Sequence, residues 1–407
     1  MHLTSVTHRD QLFDVATRWF GDRVEPGDGR FLTQLFVYEN FITPPTLRRL
    51  MTDVLQAAYP GAARLERVRS KDEVRDAIVQ AVTKPTRREA ELFALYRNRR
   101  DEFFPCTPAD VVLARRGDGT LAGMMRVKRM RRVAEKASRR VADRLAGEIH
   151  RAAERVAARR AAEAGVPLEK LVSSPDAMFE DFAQAERIVS LGFRDGTVAF
   201  TPDELRVDDV MGMKFVASED DLARIERAVL DDPLVVGAQR EEHRGLYNDI
   251  NLLLDLRLPD PEKIVARERG RDWSSAGGRG LPVEELERGF PRYVAEGART
   301  VRVEVILTTP AELVESEFGR SIHEQRILEQ RSGAYSGRIA SNASFLIEYL
   351  LMLAISPTVE IEELPIKMWG RYLSDAYAQA VWRLFGITLG LDLFDPLAAP
   401  PAHVAVP

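Results

Sequence analysis

One stretch, Thr300–Gln325 (TVRVEVILTTPAELVESEFGRSIHEQ), carries Glu304, Glu317 and His323, residues able to hold a metal ion or move a proton. Its first half sets Val301, Val303, Val305 and Leu307 against Arg302, Glu304 and Ile306, a period-two pattern that predicts a strand. Thr309-Pro310 stops it, and acidic residues then open a helix, where they suit the N-terminal dipole. Glu304 thus sits late on a strand, where a sheet can hold a carboxylate rigidly for a metal. A solvated glutamate on an edge strand carries the same pattern. Glu317 and His323, six positions apart, are within reach of a common region.

A second set is cationic. Arg126 and Lys128 are two apart at the end of a strand and share a face. Lys136 lies on the helix that follows, whose N-terminus itself favours anions. A third element, Asp208-Asp209, leads into the apolar strand around Val210–Val216, with Lys214 inside it. Strand-end aspartates also cap loops.

Around these residues the elements read in order. Residues 1–107 are expected to be mostly helical. Val111–Ala114, the Asp118-Gly119 turn and Leu121–Val127 read as a hairpin. A long Ala- and Arg-rich helix continues to about Ala164, with 13 basic and four acidic residues over 126–160. This basic helix is a candidate tRNA contact or, lacking interleaved aromatics, a solvated face. Ser218 caps a helix to about Leu230. Tyr247 precedes an apolar strand, and a helix is expected near Val283–Phe290. Two C-terminal helices, Ala340–Ala354 and Trp369–Phe385, precede a flexible tail.

These pieces resemble, in order, the RelA/SpoT-type alarmone ((p)ppGpp) synthetase domain family. Arg126-x-Lys128…Val133…Lys136 matches its R-x-K-x-x-x-S-I-x-x-K, with Arg132 in the Ser position. Asp209-Val-Met-Gly212-Met-Lys214 matches D-[LI]-x-[AG]-x-R. Tyr247, Asp249, Ile250 and Asn251 fall on Y-[RQ]-S-L-H. Val303–Thr309 falls on V-E-V-Q-I-R-T, and Glu317, Gly319 and His323 follow without a gap. Departures are Lys214 for Arg, Asp249 for Ser, Asn251 for His, Ile306 for Gln and Thr308 for Arg. The resemblance identifies a divergent member without the family's HD hydrolase domain.

The resemblance implies an α/β (α+β) fold, a nucleotidyltransferase-like mixed central sheet flanked by helices. It places that domain at 108–330 with insertions near 137–205 and 259–298, between helical regions at 1–107 and 331–407. It implies transfer of pyrophosphate from ATP to a 3′-hydroxyl of a guanosine nucleotide. Asp209 and Glu304 would be catalytic and hold Mg²⁺. Arg126, Lys128 and Lys136 would bind ATP phosphates, Tyr247 and Asn251 the acceptor, with Lys214, Glu317 and His323 in support. Alternatives are a toxin-like modification of a tRNA 3′ end and a catalytically inactive nucleotide-binding regulator.

Composition narrows the remainder. Net charge of −5 and 30% charged residues give no global argument for nucleic acid or a membrane. One cysteine, Cys106, excludes an intramolecular disulfide and a Cys-built zinc site. The longest apolar run, Phe345–Ile355, is broken by Glu348 and too short to span a bilayer. No apolar signal core opens the chain, so a cytoplasmic protein is expected. A homo-oligomer stays open.

Overall fold

The alternation of 300–308 folds as expected, and the valines on one side of it are 0–1% exposed. In the computed structural model the described residues are 1–103, 106–245, 248–319, 338–370 and 380–386.

The chain opens with β1 (His2–Leu3), then α1 (Arg9–Phe20), α2 (Asp28–Tyr38) and α3 (Thr43–Ala58). A strand, β2 (Arg64–Ser70), follows inside the stretch expected to be helical, because Arg and Glu mask its alternation; it pairs antiparallel with β3. Ser70 ends β2 and caps α4 (Lys71–Ala81) by accepting from Glu73 N. Thr86 and Glu89 form a reciprocal capping box on α5 (Arg87–Asn98), which satisfies donors that the helix cannot.

The expected hairpin is β3 (Pro108–Arg115) and β4 (Leu121–Val127). Gly119 takes φ 84° at its turn, a conformation that costs glycine little. Next come α6 (Met130–Glu163), α7 (Pro175–Asp195), β5 (Arg206–Val207) and β6 (Met211–Val216). Then follow α8 (Glu219–Leu230), β7 (Val235–His243) and β8 (Asp249–Arg257). The remaining elements are α9 (Pro261–Arg267), α10 (Val283–Glu296), β9 (Thr300–Thr308), α11 (Pro310–Phe318) and α12 (Arg338–Met352). Most of the second expected C-terminal helix and the whole tail lie outside the described residues.

The protein is mixed α/β. Seven strands form a mixed sheet in the order β2-β3-β4-β6-β9-β8-β7, parallel only between β6 and β9. β1 and β5 pair separately.

The sheet's two faces differ. One carries Met213, Phe215, Leu252, Leu254, Val303, Val305 and Leu307 into the main core, shared with residues of α1, α3, α8, α10 and α12. On the other face, the β2–β3–β4 end packs Val68, Val111, Leu113 and Met124 against Val74, Ile78, Leu92, Phe93 and Phe318 of α4, α5 and α11. Period-two geometry makes both faces from the same strands. No helix among the described residues is long and apolar enough to cross a membrane.

Candidate functional site

Strand register lines up the polar residues of the second face. Arg126 of β4 pairs with Gly212 of β6, which pairs with Glu304 of β9. In the next row Met124 pairs with Lys214, Lys214 with Ile306 and Ile306 with Asn251 of β8. Asp209 lies just before β6. Arg126, Asp209, Gly212, Lys214, Glu304 and Ile306 line one cavity of about 10 Å³, close to the space that a single water needs. A Cβ on Gly212 would sit 2.6 Å from the Glu304 carbonyl oxygen. Glycine is therefore what lets β6 approach β9 here.

Asp209 is gripped by two lysines at one oxygen. Lys136 Nζ donates a hydrogen bond to Oδ2, and Lys128 Nζ ion-pairs with the same atom. Burial opposes ionisation of Asp209, but Lys128 and Lys136 outweigh it and bring the carboxyl down to about 2. Burial lowers Lys128 to about 8; Asp209 pulls the other way and Lys136 adds to the fall. Two cations on one carboxylate leave a positive surplus. The neighbouring Asp208 is used differently. It accepts from Thr4 Oγ1 at 2.9 Å and pairs with Arg206 at 3.1 Å, tying β1 to β5.

Glu317, at the end of α11, is the second centre. Burial would raise its pKa, but Lys214, Arg126, Lys71 and Arg75 together lower it. Burial in turn lowers Lys214, which is 8% exposed. Arg75 of α4 donates to the Glu317 carbonyl oxygen (3.1 Å) and to that of Phe103 (2.6 Å). Lys71, Arg75 and Arg129 are site neighbours that sequence reasoning missed. Each stands in an ordinary charged stretch, and only the packing of α4 against α11 brings the first two here.

On β8, Asn251 has a buried Oδ1 with no hydrogen-bond partner among the described residues, and so does Thr308 Oγ1 on β9. Both belong to the same face as Glu304 and Ile306. Asp249 does not present a bare charge: it is buried, and His243 Nδ1 lies 2.6 Å from its Oδ1. Tyr247 and His323 lie outside the described residues.

The basic helix is α6, and much of its charge is answered internally. Arg144 pairs with Glu148 and Glu204, Arg151 with Glu148, and Arg160 with Asp181. Its apolar side, Val141, Leu145, Ile149 and Val156, is buried in the fold. Besides its charged face the helix thus carries a buried apolar side that was not expected, since Ala- and Val-rich turns hidden among arginines form a core stripe.

Among the described residues no group of three or more His, Cys, Asp or Glu is placed to hold a metal ion. Among the described residues Asp209 and Glu304 alone face the cavity as carboxylates. Mg²⁺ is commonly held by one or two carboxylates with its other ligands supplied from outside the protein, and Asp209 and Glu304 are two such oxygen donors on one cavity. The chain matches no protein-family model, and no curated protein matches it.

Proposed function

We propose that this sheet face is a nucleotide polyphosphate site of nucleotidyltransferase type, and that it transfers pyrophosphate from ATP to the 3′-hydroxyl of a guanosine nucleotide. The observation that carries the reading is the shared cavity of Asp209, Glu304, Arg126 and Lys214, with Lys128 and Lys136 on Asp209. The motif order shared with the RelA/SpoT family supports it.

The chemistry needs positioning and charge neutralisation more than reactive groups. The acceptor oxygen attacks the β-phosphorus of ATP, the bond from that phosphorus to the α–β bridging oxygen breaks, and AMP leaves. Glu304 takes the hydroxyl proton. Lys128, Lys136 and Arg126 hold the donor phosphates, and Asn251 orients the acceptor. A bound Mg²⁺ would neutralise phosphate charge, with Asp209 and Glu304 as its protein ligands.

A second reading is an inactive nucleotide-binding regulator. It is favoured by the lysine pair that already neutralises Asp209 and by the small cavity. The deciding experiment incubates the chain with γ-labelled ATP, Mg²⁺ and either GDP, GTP or total tRNA. A labelled guanosine product that disappears in Glu304→Gln supports the transferase. Labelled tRNA moves the acceptor to an RNA end. ATP binding without any labelled product supports the regulator.

A further inference from the structure

The two carboxylates of the cavity come from strands whose mutual pairing starts only beside them. The register of β6 with β9 begins at Gly212 and Glu304. Two residues earlier on β9 the partner is instead the start of the chain. Arg302 N donates to Thr4 O at 2.9 Å, and Ser5 Oγ donates to Arg302 O at 2.7 Å. On its other side the same segment holds the approach to β6. β1 runs parallel to β5, Thr4 N donates to Val207 O at 3.2 Å, and Thr4 Oγ1 donates to Asp208 Oδ1 at 2.9 Å. Thr4 thus bonds at once to the residue before Asp209 and to the residue two before Glu304.

The connector between β1 and α1 is built for this place. Connectors ordinarily run over the surface, yet Thr4 is 6% exposed and Ser5 0%. Buried hydroxyls cost free energy unless they are bonded, and both of these bond to a strand end that leads to a carboxylate. The segment is also fixed from outside. Thr43 Oγ1 of α3 donates to Ser5 O at 3.2 Å, Thr7 N donates to Glu39 Oε1 at 2.8 Å, and Ala298 N donates to Thr7 O at 3.0 Å. Asp209 itself precedes β6. The backbone bonds on either side of it are Lys128 N to Val210 O at 2.7 Å and Thr4 N to Val207 O.

We infer that Thr4 and Ser5 are positioning residues, a splint between β5 and β9 that sets the separation and aim of Asp209 and Glu304 for a divalent ion. The inference rests on the metal role proposed for those carboxylates and adds residues that lie outside every motif quoted above. Two carboxylates hold one small ion well only if their backbones keep a fixed spacing. Here the ladder supplies that spacing on one side of the pair and the splint supplies it on the other. The cations that meet phosphate, Arg126, Lys128 and Lys136, stand on β4 and α6 and receive no bond from the splint.

Calorimetric titration of the full chain with a non-hydrolysable ATP analogue, with and without Mg²⁺, tests this without turnover. The wild type is expected to gain affinity with Mg²⁺. Thr4→Val/Ser5→Ala keeps the shapes and removes both donors. It should lose about tenfold of that gain, a loss of the size that outer-shell groups give, while metal-free affinity stays within about twofold. Thr4→Ser keeps the donor and should retain the gain. Thr43→Val removes a bond to the same segment without freeing either strand, and it should retain the gain as well. If the double variant does not fold, Ser5→Ala alone should show a smaller loss of the same kind. A full Mg²⁺ gain in the variants that lack a strand bond overturns the splint. So does an equal fall with and without Mg²⁺, or an equal loss in Thr43→Val, either of which would mark general loosening. No Mg²⁺ gain in the wild type removes the metal role and the splint together. A gain that depends on Thr4 and Ser5, in a chain that forms no labelled product from ATP, would sink the transfer reading and leave the splint standing.

Discussion

The two faces of the seven-stranded sheet are made from alternate residues of the same strands, yet they are built for opposite purposes. Val303, Val305, Leu252 and Leu254 point into a continuous apolar core at 0% exposure. One residue along, Glu304, Lys214, Asn251 and Arg126 face a small polar cavity or its rim. Apolar burial contributes about 25 cal/mol per Å², whereas burying an ammonium such as Lys214 costs free energy unless paired. The first face holds the fold, and in the proposed reading the second uses part of that stability to keep charges poised for a ligand.

The largest effect tests the apolar face. Leu254→Ala should lower unfolding free energy by about 2–5 kcal/mol, read from denaturant midpoints, while the folded fraction still binds an ATP analogue normally. A loss under about 1 kcal/mol would blur the distinction between the faces.

Asp209→Asn tests the polar face, and its two readouts should move apart. The folded carboxyl titrates at about 2 against an ordinary 3.8. Its contribution is therefore present above 3.8 and is lost as the pH falls towards 2. Removing it should cost about 2 kcal/mol at neutral pH and flatten the acid limb of stability below pH 4. Metal-free ATP analogue should bind more tightly, because Lys128 and Lys136 are released. Weaker metal-free binding would show that Asp209 does not compete with phosphate.

The next effect joins the two faces' demands at one residue. Gly212→Ala pushes a methyl against the Glu304 backbone and should cost at least about 1 kcal/mol while also weakening nucleotide binding. Normal binding in that variant would place the ligand away from the β6–β9 seam. The smallest effect is expected at the sheet's far edge, where Arg67 and Asp110 pair at about 60% exposure each. Arg67→Ala should change stability by less than about 1 kcal/mol and leave ligand binding alone.

Lys128 gives a basic-limb test of the same contrast. Burial holds it near 8 instead of the ordinary 10.5. The unfolded chain therefore binds a proton that the folded chain does not, so stability should rise as the pH climbs from 8 towards 10.5. Lys128→Met should flatten that rise; an unchanged slope would assign it to other groups.

Strand β9, the β3–β4 hairpin and α6 were legible because period-two alternation, an Asp-Gly turn and an uninterrupted helical stretch are local signals. β2 was not, since Arg64, Glu66, Arg67 and Arg69 swamp its pattern, nor was β7, whose residues 239–243 are all polar or charged and exposed. In the site, Asp209, Glu304, Arg126 and Lys214 were singled out by resemblance to the family's motifs, and all four line one cavity. The pairing of Lys128 and Lys136 with Asp209 was not readable, because it joins residues more than 70 positions apart. Nor was the arrival of Lys71 and Arg75 at Glu317, which depends on helix packing rather than on any motif.

Transfer of a pyrophosphate unit by the polar face is the proposed reaction. Its most direct test is to count nucleotide products from ATP and GDP under Mg²⁺. Pyrophosphoryl transfer requires one AMP per guanosine product, with the β- and γ-phosphorus of ATP both recovered in that product. ADP as the co-product, or ATP bound without AMP ever forming, would contradict it.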